Sequence, residues 1–403
     1  MNDTVFVLGA GASWHYGYPT GEGLIDAVIS MAGRLSTYCQ FRTQRNTPTL
    51  PMPIYVLRKF ERNGGTNGHL RAWDEVRREC DLLVHRLGSV RPLVIDYFLG
   101  WNPSLQEIGK LLIAAALLEC EATYAATRGN PNRREVVMNQ PIPPSSEQQR
   151  RLDISKFKDD WYRFVVHKLV SRCENSSDLL TNRVKFITFN YDTSLEFHLL
   201  RALKSIDFIT KNDTEKFILN DRIVHMYGAL RKEAFDSNDF VDQASCLQLG
   251  YEFTSPQNLP SEIQMRNKFL DRSLLCSEGI RTIDPHDKSD EDRTQCAKVW
   301  IRDARLIYVL GYGFDDNNNE RVGLLSRDAV EGKSVLFTNF GDINIINRKA
   351  SKLFVGGYDA FDQQSVKGDP LGSYFEKSTR NVYDALELDF YGFESSLLGS
   401  SRV

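Results

Sequence analysis

No C-x-x-C pair occurs in the 403 residues, and the seven cysteines are widely spaced and odd in number. That absence argues against a zinc ribbon, and the scatter suits a reducing compartment. The chain also lacks the Walker A sequence G-x-x-x-x-G-K-[ST], so it carries no ATP phosphate loop of that kind. Long apolar runs are missing. The longest, Leu111 to Leu118, lies between Lys110 and Glu119 and is too short to cross a bilayer, so it reads as a buried helix and no membrane association is expected. Charge of one sign is not in excess either. A net charge of −3 gives no general reason to bind nucleic acid or an anionic membrane. The Arg133-Arg134 pair reads as part of a solvated loop. A core strand begins within the first residues, which argues against a signal peptide and sets the expected location as the cytoplasm. No internal repeat is evident.

What is present begins with Thr4-Val5-Phe6-Val7-Leu8, an apolar run that predicts a strand buried on both faces, as in a parallel sheet. Gly9-Ala10-Gly11-Ala12-Ser13 follows. Its glycines free the backbone to turn tightly and to approach a ligand. A helix is expected from about Thr20 to Glu22 onward, with Leu24, Ile25, Val28 and Ile29 on one stripe. Strand, glycine turn and helix together form an anion-binding opening, through unpaired N–H groups and the positive helix end. The dinucleotide fingerprint is incomplete, because Trp14 stands where the third glycine belongs and no acidic residue closes a second strand about twenty residues on.

Further along, Pro48, Pro51, Pro53 and Gly64-Gly65 predict mostly loop over 40–69. Residues 70–127 and 157–172 read as helical, and 129–150, with four prolines, as a mobile loop. Strands return at 184–190, 222–227, 305–310 and 334–339, separated by helical stretches. This pattern predicts an α/β fold, a Rossmann-like, parallel, doubly wound sheet with mainly helical insertions. The expected division is a core of 1–35 and 183–360, a helical insertion of 36–182, a second insertion of 233–300 within the core, and a helical tail of 361–403. Right-handed crossovers would place every strand's C-terminal end on one rim.

Polar and glycine motifs fall at those strand ends: Gly9 to Ser13, Thr188 to Asp192, His225 to Gly228, Gly311-Tyr312-Gly313 through Asp316, and Asn339. In extended backbone Thr188, Asn190 and Asp192 share a face. Asn190 offers both donors and an acceptor for a water or ribose hydroxyl. Asp192 has two readings, a site residue or an N-cap for the following helix. His225 shares a face with Tyr227; it is either a satisfied core histidine or a general base.

Taken in order, the set resembles the sirtuin-like family, and more closely its bacterial antiviral branch, whose members hydrolyse NAD. Gly9 to Ser13 with Gly17-Tyr18-Pro19 is similar to the family's GAG[IA]S…G-x-P loop, and Thr188 to Asp192 to its T-x-N-x-D motif. Ile223 to Leu230 is similar to the strand with the catalytic histidine. Leu310 to Asp316 is similar to the G-Y-[SG]-F-x-D turn, and Thr338-Asn339 to the ribose-contacting asparagine. There are three departures. The family's H-G is Tyr227-Gly228 here, with His225 two residues earlier, so His225 and Tyr227 both stand as candidates for the base. The deacylases' T-Q-N and D-F-R have Phe189 and Thr20-Gly21-Glu22 in their place. Their zinc-binding cysteine pairs are missing.

The resemblance implies an NAD glycohydrolase with NAD as substrate and no metal. Asn190, His225 and Asp192 are then catalytic. Gly9, Ala10, Gly11, Ala12, Ser13, Pro19, Thr188, Tyr227, Gly228, Gly311, Tyr312, Gly313 and Asn339 hold the nucleotide. It further implies depletion of NAD in antiphage defence, and control by homo-oligomer contacts or a partner such as a HerA-type hexameric ATPase. The alternatives are an NAD-dependent protein deacylase and a non-catalytic nucleotide sensor.

Overall fold

In a computed structural model, which describes residues 3–44, 51–65, 67–126, 160–219, 222–230, 260–282, 288–324, 327–355, 366–368 and 373–391, the opening run forms β1 (Thr4–Leu8), buried at every position. Phe6 lies between Phe186 and Tyr308, with ring centroids 5.2 and 4.8 Å away. Each such pair adds about 0.5–1.5 kcal/mol beyond its buried area. On the opposite face Val5 and Val7 join Ile187, Ile307, Val309 and Phe337 in an apolar cluster. A strand covered on both sides has no use for polar alternation, which is why the run is continuously apolar.

The chain divides into two compact units, Met1–His15, Lys158–Met226 and His286–Val403 in one, Tyr16–Phe157 and Tyr227–Pro285 in the other. The first holds β1, β2 (Val184–Thr188), β3 (Ile223–His225), β4 (Leu306–Leu310), β5 (Ser334–Thr338), β6 (Val366–Gly368) and β7 (Tyr374–Ser378). Their order across the sheet is β3-β2-β1-β4-β5-β7-β6. All neighbours are parallel except the edge pair of β6 and β7. The six parallel strands follow the doubly wound dinucleotide-binding order, which reverses between β1 and β4. The expected fold class is therefore present.

The second unit is helical. Gly21–Gln44 packs on Gly68–Val90 and Gln106–Ala126, and Pro260–Ser277 packs on Gln106–Ala126 and Ile54–Asn63. Val28, Ala32, Leu35 and Cys39 on one helix, and Trp73, Val76, Cys80, Leu83 and Leu87 on another, are buried. Their alternating three- and four-residue spacing makes one seam along each helix. Among the described residues no helix is long and apolar enough to cross a membrane.

Several boundaries differ from the sequence reading. Gly21–Gln44 belongs to the second unit, whereas Tyr162–Val170 and Lys288–Asp303 belong to the first. The 40–69 stretch contains the helix Ile54–Asn63 with Pro53 at its N-cap, a place where proline is compatible with helix. The tail is not only helical, since β6 and β7 precede the helix Val382–Tyr391. The 129–150 loop, Arg133-Arg134 and the whole 233–259 segment lie outside the described residues.

At the reversal point the exits of β1 and β4 meet backbone to backbone. Gly9 N donates to Leu310 O and Gly11 N to Gly311 O, both at 3.0 Å. A Cβ on Gly9 would lie 2.4 Å from Gly311 O, and one on Gly311 would lie 2.2 Å from Ala12 N. Gly311 also has φ +59°, a region costly for residues with a side chain. Gly313 differs, with nothing within 4 Å of an added Cβ. Gly311→Ala is therefore expected to lower unfolding free energy by at least about 2 kcal/mol in urea titration. Gly313→Ala is expected to stay within about 0.5 kcal/mol of wild type. Equal effects at the two positions would contradict this packing.

Candidate functional site

The exits of β1 to β5 bring their polar residues to the C-terminal rim. Asn190, two residues past β2, is 9% exposed. Its Nδ2 donates to Gly9 O at 3.0 Å and to Ser13 Oγ at 2.8 Å. Because Gly9 O can only accept, the amide orientation is fixed and both of its hydrogens are engaged. Oδ1 is the end that remains for a ligand donor. The backbone N–H of Asn190 meets Thr188 Oγ1 at 3.1 Å, so Thr188 shapes this exit.

Ser13 continues the network to Asp192, whose carboxylate also accepts from Ser194 N at 3.1 Å and from Ser194 Oγ. With the Ser194 hydroxyl donating to Asp192, the Tyr162 hydroxyl, 2.9 Å away, donates to Ser194. Burial pushes the Asp192 carboxyl above its ordinary range, against the hydrogen bonds from Ser194 and Ser13 that favour its charge. Burial likewise pushes the Tyr162 phenol well up, helped by the Asp192 charge. Asp192 thus helps begin the helix Ser194–Lys204, whose N-cap Thr193 makes no side-chain cap. The N-cap reading of Asp192 is partly realised, from the position before the cap.

His225, the last residue of β3, is held at both nitrogens. Nδ1 lies 2.8 Å from Asn190 O and Nε2 lies 2.6 Å from Glu196 Oε1. A carbonyl accepts only, so Nδ1 carries hydrogen. Nε2 meets a carboxylate, and the imidazolium satisfies both contacts. Burial disfavours that charge, but the Glu196 charge and hydrogen bond, the Asn190 carbonyl and Asp192 outweigh it, and the net effect raises the pKa. As it sits, His225 has no lone pair for a substrate proton, which departs from the expected general base.

The remaining predicted residues divide in two ways. Gly9 and Gly11 use their N–H groups on Leu310 O and Gly311 O, and Ala12 N bonds Gly9 O at 2.9 Å. These three donors of the turn, expected to face an anion, are engaged within the chain. The helix directly after β1 is only Ala10–Ser13. Gly311 N donates to Thr338 Oγ1 at 2.8 Å, and Tyr312 stacks on Phe189 at 5.1 Å. Asn339 is engaged in its own loop. Its Nδ2 donates to Ile343 O and Asn347 Oδ1, and its Oδ1 accepts from Ile343 N. A ribose contact by that amide would have to break this turn. Pro19, Tyr227 and Gly228 belong to the second unit. There Gly228 (φ +69°) pairs with Ile280, and its added Cβ would lie 2.0 Å from Gly279 O. Tyr227 O accepts from Arg281 N.

Four residues of the cluster escaped sequence reading, Trp161, Tyr162, Ser194 and Glu196. Trp161 is fully buried and donates from Nε1 to Ala12 O at 2.8 Å, pinning the turn that carries Ser13. Tyr162 and Glu196 are buried partners of Ser194 and His225. Spacing offered a signal only for Trp161, as an apolar position on a helical stripe. A separate cleft of about 390 Å³ lies at the opposite strand ends, lined by Asn182, Lys185, Arg222, Trp300 and Asp303 among others. It shares no residue with the rim cluster, and Arg222 there is bound to the carbonyls of Asn182 and Leu180. Among the described residues no group of three or more His, Cys, Asp or Glu side chains is placed to hold a metal ion. The chain matches no protein-family model, no curated protein and no solved structure in these comparisons.

Folding raises the pKa of His225. A histidine raised on folding contributes stability in full below the unfolded value of about 6.5, and that contribution is lost as pH rises through the folded value. Urea unfolding between about pH 6 and 9 is expected to show wild type losing stability with pH over that window. His225→Gln is expected to flatten the loss. An identical slope in the variant would contradict the assigned charge.

Proposed function

We propose that the chain is an NAD glycohydrolase that cleaves the nicotinamide–ribose bond to nicotinamide and ADP-ribose. One observation carries the reading. Ser13, Asn190, Asp192 and His225, from three strand exits, form one buried hydrogen-bonded cluster on the rim, beside the β1/β4 reversal where open α/β sheets bind nucleotides. The ordered sirtuin-like motifs supply the substrate.

Cleavage would pass through an oxocarbenium-like state, as in other glycosidic bonds, with water as nucleophile. The pyridinium is already cationic and leaves without a metal. Asn190 Oδ1 would accept from the attacking water or a ribose hydroxyl. Asp192 and Glu196 would lend carboxylate charge to the cation that develops. His225 would take a proton only after one of its ring nitrogens is freed. That same engagement of both nitrogens favours a second reading, a nucleotide sensor that does not cleave. No observation favours the deacylase.

The resemblance extends the proposal to NAD depletion in antiphage defence, restrained by assembly with copies of itself or with a HerA-type hexameric ATPase. The direct test is incubation of purified protein with NAD. Nicotinamide is expected without added zinc, and acetylated peptides are expected to remain acetylated. Asn190→Ala is expected to abolish release. It is also expected to cost about 1–3 kcal/mol of stability, because Ser13 Oγ loses the amide donor and Gly9 O keeps only Ala12 N. Full turnover by a folded Asn190→Ala protein would overturn the assignment, and binding without release would select the sensor.

A further inference from the structure

One buried group of the cluster has no part in sequence-based expectation. Glu196 sits in the first turn of Ser194–Lys204 and is 5% exposed. Oε1 lies 2.6 Å from His225 Nε2, and Oε2 is buried with no hydrogen-bond donor among the described residues. A carboxylate removed from water with one oxygen unsatisfied is costly unless a strong partner holds it. Its partner here is the imidazole, which is itself fixed from the other side by Asn190 O. The groups that act on the ring are therefore Glu196 from the helix after β2, and Asp192 and the Asn190 carbonyl from the β2 exit.

We propose that Glu196 is a positioning residue of this site, which fixes the ring plane of His225 and keeps its Nε2 proton in place. For His225 to act as a base, the Nε2 proton passes to Glu196 and the contact opens, leaving a neutral ring with a free lone pair and a protonated carboxyl. A proton from water or a ribose hydroxyl then restores the imidazolium. In its kinetic consequence the inference rests on the proposed cleavage; the protonation of His225 does not.

The test uses the full chain labelled with ¹⁵N-histidine, with the His225 signal identified by its loss in His225→Gln. Ring nitrogen shifts are followed across pH in wild type and Glu196→Gln. Glutamine keeps the volume and a hydrogen bond but removes the charge, so a role in packing alone would leave the titration unmoved. The wild-type midpoint is expected above that of free imidazole, and Glu196→Gln is expected to lower it by about one unit or more. The acid-side midpoint of nicotinamide release is expected to move by the same amount. An unchanged His225 midpoint in Glu196→Gln overturns the inference. If that variant does not fold, wild type decides: a midpoint at or below about 6.5 overturns it, and one above supports it. If no nicotinamide is released by any form, the proposed function fails while the nitrogen titration still decides the role of Glu196.

Discussion

At the crevice between β1 and β4 the two strand exits touch through backbone alone. Gly9, Gly11 and Gly311 interlock so closely that any of the three side chains would collide with a main-chain atom. The contact determines where the rest of the rim can sit. It holds the turn so that Gly9 O and Ser13 Oγ receive the Asn190 amide. Trp161 grips the same turn from outside, through Ala12 O. Glycines that sequence reading assigned to ligand approach thus have a prior duty, approach of the chain to itself.

From that anchor the polar groups can be followed by their protons. The Asn190 amide gives to Ser13, and Asp192 collects from Ser13 and Ser194, with Tyr162 behind Ser194. His225 gives to the Asn190 carbonyl and to Glu196. Every donor faces an acceptor, so the cluster is ordered before any ligand arrives. Under the proposed cleavage, such preorganisation at Asn190 and Asp192 would suit a developing positive charge. It also makes the histidine costly to free, so the proposed cleavage would be slow until something changes the site.

Much of the sheet was legible because parallel strands buried on both faces are mostly apolar runs; β1, β4 and β5 read that way, and in β2 Lys185 is the one charged residue, at a half-buried position. β7 was not. Its Tyr374-Phe375-Glu376-Lys377-Ser378 places Lys377 inward, 5% exposed, where it pairs with Asp342 at 2.9 Å. A lysine in so short a run suggests solvent until its partner, 35 residues away, is known. The helix Ile54–Asn63 was hidden by prolines that break a helix interior yet fit its start. At the site, Asn190, Asp192 and His225 were found from strand-exit position, and the structure brings them together. Glu196 is an acidic residue in a first helical turn, which follows a common electrostatic preference. Only its pairing with a histidine 29 residues on separates it from that class. Asn339 was the opposite case, a motif residue whose amide is held by its own loop.

In the proposed function NAD is bound and cleaved at the β1/β4 crevice. A crystal structure of the full chain grown with ADP-ribose, the product that keeps both phosphates and the reacting ribose, tests it most directly. The account predicts the pyrophosphate against the Gly9–Ser13 turn and the terminal ribose within hydrogen-bond distance of Asn190. Density for ADP-ribose elsewhere, or none at a concentration that saturates binding in solution, would contradict it.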